Sequence, residues 1–184
     1  MIKYSETIAQ NAREPIDLQE AVNHAKALPD DEEYALVDGY ITAAREYCEG
    51  ITGRSLIARN MVAYLDGAAG TVYLPKPPVM TVESVKVYDE NGNAYEARSN
   101  IVDAVNGEVM LSGIPAINMR KHNPIEVKYT TGYTKVPGLM RQAMLLLIGH
   151  WYMNREAVVV GPNASVEVGI TTRTLLRQFK AWWM

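Results

Sequence analysis

The stretch IEVKYTTGYTKVPGLMRQAMLLLIGHW (residues 125–151) changes from a strand pattern to a helix pattern within a few residues. Residues 125–129 alternate apolar and charged side chains, which is typical of a half-buried strand. Pro137 follows, a residue favoured in the first turn of a helix, and residues 139–151 are apolar nearly all round. A helix without a polar face must be covered on several sides. We therefore expect a helix over residues 137–155 at the centre of the core, covered by other layers of the chain or by another subunit.

Two more helices are predicted upstream of this stretch. The first covers residues 17–28, where Asp17 and Glu20 have the spacing of a capping box. The second covers residues 30–53, with four acidic residues in its first turn, apolar residues at helical spacing, and Gly53 as a stop signal. An acidic run at a helix start stabilises the helix through its dipole, and we prefer this interpretation to a metal site.

The segment between the second and third helices predicts short antiparallel strands. Within residues 60–131, alternating apolar runs are separated by turn pairs such as Asn91-Gly92 and Asn106-Gly107. Five to six strands fit this spacing. Together, these helices and strands form a predicted core over residues 17–155. Residues 1–16 precede it and are expected to form an N-terminal arm that is exposed or bound to a partner.

A different pattern fills residues 156–184. Ala157–Val160 and Ser165–Val168 flank Gly161-Pro162 and predict a hairpin outside the main sheet. An aromatic helix is expected to begin at Thr171 or Thr172. The predicted fold is α+β: a helical bundle of about four helices, an inserted antiparallel β segment between helices 2 and 3, and this extra C-terminal hairpin.

Composition narrows the class of protein. The chain has 184 residues, 48% hydrophobic and 21% charged, which is typical of a globular domain. The net charge of −3 gives no basic excess for tight DNA binding, and one cysteine excludes an internal disulfide and a cysteine-based zinc site. The first residues lack the apolar core of a signal peptide, so we expect an intracellular protein.

The sequence offers little chemistry. His24, His122 and His150 do not have metal-ligand spacing, and Cys48 lies on the apolar stripe of the second helix. No phosphate-binding glycine loop or nucleophile elbow occurs. We therefore predict no catalytic, cofactor-binding or metal-binding residues and no cofactor, and we do not favour an enzyme.

Surfaces carry the functional signal instead. Large aromatic and arginine side chains dominate binding energy at interfaces, and unpaired valine-rich strands invite pairing. The candidate interface residues are Phe179, Trp182, Trp183, Arg173, Arg177, Val158, Val159, Val160, Val166 and Val168. The alternative for the tryptophans is that they fold back onto the core.

Three stretches in this order resemble the head–tail connector (adaptor) proteins of tailed bacteriophages and prophages. They are AAREYCEGITGRSL (residues 43–56), LPKPPV followed by VESVKVYD (74–79 and 82–89), and VKYTTGY with HWYMNREA (127–133 and 150–157). The resemblance covers roughly residues 17–160. The chain departs from the family's C-terminal pattern, because residues 175–180 lack its proline and tyrosine, and the arm at 1–16 has no counterpart.

The resemblance implies a structural role without catalysis. Such proteins form a ring, typically of twelve subunits, between the portal and the tail or stopper protein in the virion neck, after assembly in the host cytoplasm. The ring extends the channel through which DNA passes without sequence-specific binding, and it has no membrane contact. The alternatives are another virion assembly or packaging component, such as a tail-completion or terminase-associated protein, and, less favoured, a small enzyme.

Overall fold

The computed structural model describes residues 2–10, 12–28, 30–67, 70–154 and 166–181, without the side chains of 166–170. These residues divide into two compact units. The β unit comprises the described parts of 1–13, 53–134 and 181–184, and the helical unit those of 14–52 and 135–180. The α+β class with four helices and an antiparallel sheet is confirmed. Within the described residues, no helix is both long and apolar enough to cross a membrane.

The helical unit contains the four helices. They are α1 (Leu18–Ala25), α2 (Asp31–Thr52), α3 (Gly138–Met153) and α4 (Val166–Arg177). The first helix ends earlier than the sequence predicted because Lys26 adopts the left-handed conformation, with a φ of 55°, and caps α1 through its backbone. Asp17 caps the start of α1 by accepting a hydrogen bond from the Gln19 amide at 2.9 Å.

The apolar helix α3 packs against all three other helices. Its buried residues occupy most of its circumference: Met140, Ala143, Met144, Leu145, Leu147, Ile148 and Tyr152. Trp151 contacts two tyrosines of α2, with ring centroids 6.0 Å from Tyr40 and 6.5 Å from Tyr47. Helices of the same chain therefore provide the cover that the sequence required.

Two ionic contacts fix the segments around α1. Arg141 of α3 donates to both carboxylate oxygens of Glu20 at 2.8 and 2.6 Å and to the carbonyl of Pro15. The Glu20 carboxylate thus binds across to α3, where the sequence predicted a capping box. Arg45 of α2 is buried and donates to Glu14 at 2.9 Å and to Glu49 at 3.2 Å. A buried charge needs such partners, so Glu14 is held firmly at the start of this unit.

The expected hairpin is wrong in its second arm. Val166 and Val168 lie in the first turns of α4, which begins five residues before the expected start at Thr171. Alternating valines over four residues fit a short strand, but Ser165 is an N-cap residue type and Glu167 is an acid suited to a first turn. The first arm, at Val158–Val160, lies outside the described residues.

The β unit is one antiparallel sheet of seven strands. They are β1 (Lys3–Ile8), β2 (Arg59–Leu65), β3 (Gly70–Tyr73), β4 (Val79–Tyr88), β5 (Ala94–Asp103), β6 (Glu108–Ser112) and β7 (Ile125–Thr131). The strand order is β1-β2-β7-β4-β5-β6-β3. In the chain, β2–β7 lie between α2 and α3, as expected for the insert. The N-terminal arm is not free: its residues 3–8 pair with β2, although their side chains stay exposed.

One face of the sheet forms the core of the β unit. Alternate residues of β2 and β7 are buried, so that Met61 and Tyr129 are opposite each other, as are Ala63 and Val127. The Tyr129 hydroxyl donates to the carbonyl of Pro75 at 3.0 Å. This buried bond anchors the proline-rich connection between β3 and β4 to the central strand.

A close backbone approach follows β7. Gly132 has a φ of 128°, and a Cβ added there would lie 2.4 Å from the carbonyl oxygen of Ile57. Its amide donates to the Pro78 carbonyl at 3.0 Å. Only glycine fits this position, because both the conformation and the space exclude a side chain.

We expect Gly132→Ala to destabilise the chain by about 2–4 kcal/mol, which would lower the melting temperature by roughly 10 °C. The matched control is Gly39→Ala in α2, where an added Cβ meets nothing within 4 Å. Alanine is the better helix former by about 1 kcal/mol, so this control should melt slightly higher than the natural chain. Equal melting temperatures of the two variants would contradict this account of Gly132.

Cys48 provides a second test of the core. Its side chain is fully buried, and burial, together with the nearby Glu49, raises the pKa of the thiol to about 12. The thiolate is the reactive form, so at pH 8 the folded chain should not react with a disulfide reagent. The unfolded chain should react at its single cysteine and release one equivalent of the coloured thiolate of an aromatic disulfide reagent, which is measured by absorbance. Reaction of the folded chain at the unfolded rate would mean that Cys48 is accessible.

Candidate interaction surfaces

Side chains suited to catalysis or metal binding are few and scattered in the described residues. Among the described residues, no group of three or more histidine, cysteine or acidic side chains can hold a metal ion. His150 lies in the last turn of α3, where its Nδ1 is 3.2 Å from the Asn154 side-chain amide. His24 lies close to Gly149 on the facing helix. These histidines belong to helix packing and helix ends.

The structure separates the candidate interface residues into three groups. Arg173 and Arg177 are exposed on α4, and Phe179 is half-buried in the turn that follows. Val166 and Val168 belong to the start of α4. Val158, Val159, Val160, Trp182 and Trp183 lie outside the described residues.

The described part of the C-terminal segment also contributes to the folded core. Thr172 and Leu176 of α4 are fully buried, as is Ala181 beyond it. The exposed face of α4 therefore carries the two arginines, while its opposite face is used for packing.

A groove in the β unit was not predicted from the sequence. It has a volume of about 920 Å³ and lies between the two ends of the sheet. Ile2 and Tyr4 line one side, and Val72 and Tyr73 line the other. Since β1 and β3 are the first and last strands in the sheet order, the sheet curls until its ends approach each other.

The side of β1 that faces the core is open to solvent along this groove. Tyr4 is opposite the buried Ala63, yet 41% of its surface is exposed, and Ile8 is 56% exposed. Each end strand pairs with a single described neighbour, β1 with β2 and β3 with β6. An end strand beside an apolar groove is the kind of surface to which a further strand can be added.

Beside the groove, β1 is held to the sheet by an ion pair, and the adjacent core contains a buried tyrosine. Glu6 of β1 lies 3.6 Å from Arg59 of β2, an ion pair that fastens the edge strand. Burial raises the pKa of the Tyr129 phenol, and the neighbouring Tyr4 and Glu6 raise it further. Tyr129 therefore stays neutral and acts as a hydrogen-bond donor within the core. The sequence did not predict β1, because residues 3–8 have mixed polarity without a regular apolar alternation, although Tyr4, Thr7 and Ile8 are residue types that fit a strand.

Comparison with known proteins relates the chain to components of virus-like particles. Residues 16–170 match the model of a family described as head completion protein. No curated protein matches the sequence significantly.

Three solved structures share the fold. The neck of an empty gene transfer agent particle, computed with C6 symmetry, contains a chain with a TM-score of 0.69 and 21% identity, over 97% of this chain and 95% of that one. The native particle's neck, computed with C12 symmetry, gives 0.64 and 22%, over 97% and 94%. The virion of the native gene transfer agent gives 0.68 and 19%, over 98% and 95%.

The family match spans most of the chain and includes all three stretches whose order carried the sequence resemblance. The predicted relationship to head–tail connector proteins is thereby confirmed. The chain belongs to the head completion protein family.

Proposed function

We propose that the chain is a structural subunit of a ring in the neck of a phage-like particle. The observation that carries this proposal is the head completion family match over residues 16–170. A ring of twelve copies is supported by the shared fold with neck chains from structures computed with C6 and C12 symmetry. Closed rings of identical subunits are a common solution for a structural junction.

The ring lies between the portal and the tail or stopper protein and extends the DNA channel. A net charge of −3 supports passage of DNA without sequence-specific binding, because a strongly basic lining would retain the phosphates. The exposed arginines of α4 provide a surface for another protein, which is consistent with this role. Among the described residues, no cluster of side chains can hold a metal ion.

The C-terminal segment provides the proposed contact with the portal. Phe179, Trp182 and Trp183 supply aromatic anchors of the kind that dominate interfaces. Val158, Val159 and Val160 are proposed, from sequence alone, to contact a neighbouring subunit. Truncation from Arg173 would not test the portal contact, because it also removes the buried Leu176.

Ring formation is tested by native mass spectrometry over a concentration series, with and without the purified portal protein of the same particle. The expected result is a closed oligomer near twelve copies, either alone or on the portal. A chain that remains monomeric at every concentration and on the portal would contradict the ring.

The portal contact is tested by Trp182→Ala/Trp183→Ala. We expect portal binding at least roughly tenfold weaker, because truncated aromatic anchors often cost about 2 kcal/mol each. The melting temperature should stay within about 2 °C of the natural chain if the tryptophans bind the portal.

The matched control is Leu176→Ala. This residue is fully buried, so its truncation should cost about 2–5 kcal/mol of stability. If the double tryptophan variant instead loses stability as Leu176→Ala does, and binds the portal normally, the tryptophans are core residues and the proposed portal contact is wrong.

A further inference from the structure

The helical unit has two charged faces of opposite sign. Arg173 and Arg177 lie one turn apart on the exposed face of α4, and Lys180 is exposed in the turn beyond it. No acidic residue occurs from Ile170 to the end of the chain. Within the described residues, none of these three cations forms an ion pair. This face therefore has positive charge that the described part of the unit does not neutralise.

The exposed face of α2 has the opposite charge. Its exposed residues are Asp31, Glu32, Ala35, Asp38, Gly39, Ala43, Glu46 and Gly50. Four are acidic and four are small. The only basic residue of α2, Arg45, is buried and bound mainly to Glu14 and Glu49, with Glu46 at 3.7 Å. Asp38 and Glu46 are eight residues apart, which spans roughly 12 Å of helix, so this acidic face extends beyond the first turn of α2.

The two faces do not neutralise each other within one subunit. Both α2 and α4 pack against α3, and α2 also contacts α4. Among the described residues, however, no ion pair joins Arg173 or Arg177 to an acidic residue of α2, whose arginine partner is its own Arg45. A cyclic ring requires two different, complementary patches on each subunit, because contacts run head to tail.

We propose that in the ring the basic face of α4 in one subunit docks on the acidic, small-residue face of α2 in the next subunit. The occupant of the α4 face is thus a second copy of this chain. Charge complementarity selects it: the acids of α2 steer and orient the arginines. The alanine and glycine positions between those acids leave room for the long arginine side chains to approach the α2 backbone. This inference rests on the proposed ring and names its contact.

The test uses charge reversal on each face of the full-length chain. One variant is Arg173→Glu/Arg177→Glu, the other is Asp38→Lys/Glu46→Lys. All four positions are exposed, so the variants should fold, as checked by their melting temperatures. Each variant alone loses the charge complementarity between the two faces and should self-associate at least roughly tenfold more weakly than the natural chain at low salt.

Mixing the two charge-reversal variants tests whether the two faces bind each other. The acidic α4 face of one then meets the basic α2 face of the other, and the same holds in reverse around the ring. We expect the mixture to form mixed oligomers by native mass spectrometry and the fourfold variant carrying all substitutions to associate again. Added salt should weaken both, since it screens exposed charges.

The control is Glu90→Lys/Glu96→Lys, which changes the charge equally at exposed positions of the β unit and should leave association unchanged. A mixture that associates no better than the separate variants overturns the inference. Normal rings from both reversal variants would also overturn it while leaving the proposed ring intact. If Arg173→Glu/Arg177→Glu instead loses only duplex DNA binding, the α4 face contacts nucleic acid and the inference is wrong.

Discussion

The enclosure of α3 is the constraint on which the helical unit depends. This helix has no polar face. Leaving its apolar surface exposed to water would cost a free energy of about 25 cal/mol for each Å². Three helices surround it, two from before the inserted strands and one from after α3. Glu20, the acid of α1, binds Arg141 of α3, and Tyr40 of α2 contacts Trp151 of α3. The exposed residues of these helices face solvent.

Much of this fold follows from local sequence signals. The helices around residues 17–52 and 138–153 have caps, periodic apolar residues and stop residues that act within a few positions. The strand at 125–129 alternates cleanly and takes the central place next to β2 and β4. The start of α4 does not follow in this way, because alternating valines over four residues satisfy a strand and a helix equally. In the structure these residues form the start of α4, and this helix packs against the apolar surface of α3.

The interaction surfaces are harder to predict because they depend on pairing between distant segments. The groove needs β1 and β3 at opposite ends of one curled sheet, and no local pattern specifies that order. The exposure of Arg173 and Arg177, by contrast, follows from their spacing relative to Leu176. The acidic start of α2 was explained by the helix dipole. Its continuation to Asp38 and Glu46, beyond the reach of that dipole, is the part that points to a partner.

The chain passes between its two units several times, at residues 13–14, 52–53, 134–135 and 180–181. The two units are therefore not consecutive domains joined by a single linker. A protease that cuts one crossing leaves the units joined by the others, and a tensile load divides among several covalent connections. These repeated crossings give the chain a mechanical redundancy that a tandem arrangement of the same two units would lack.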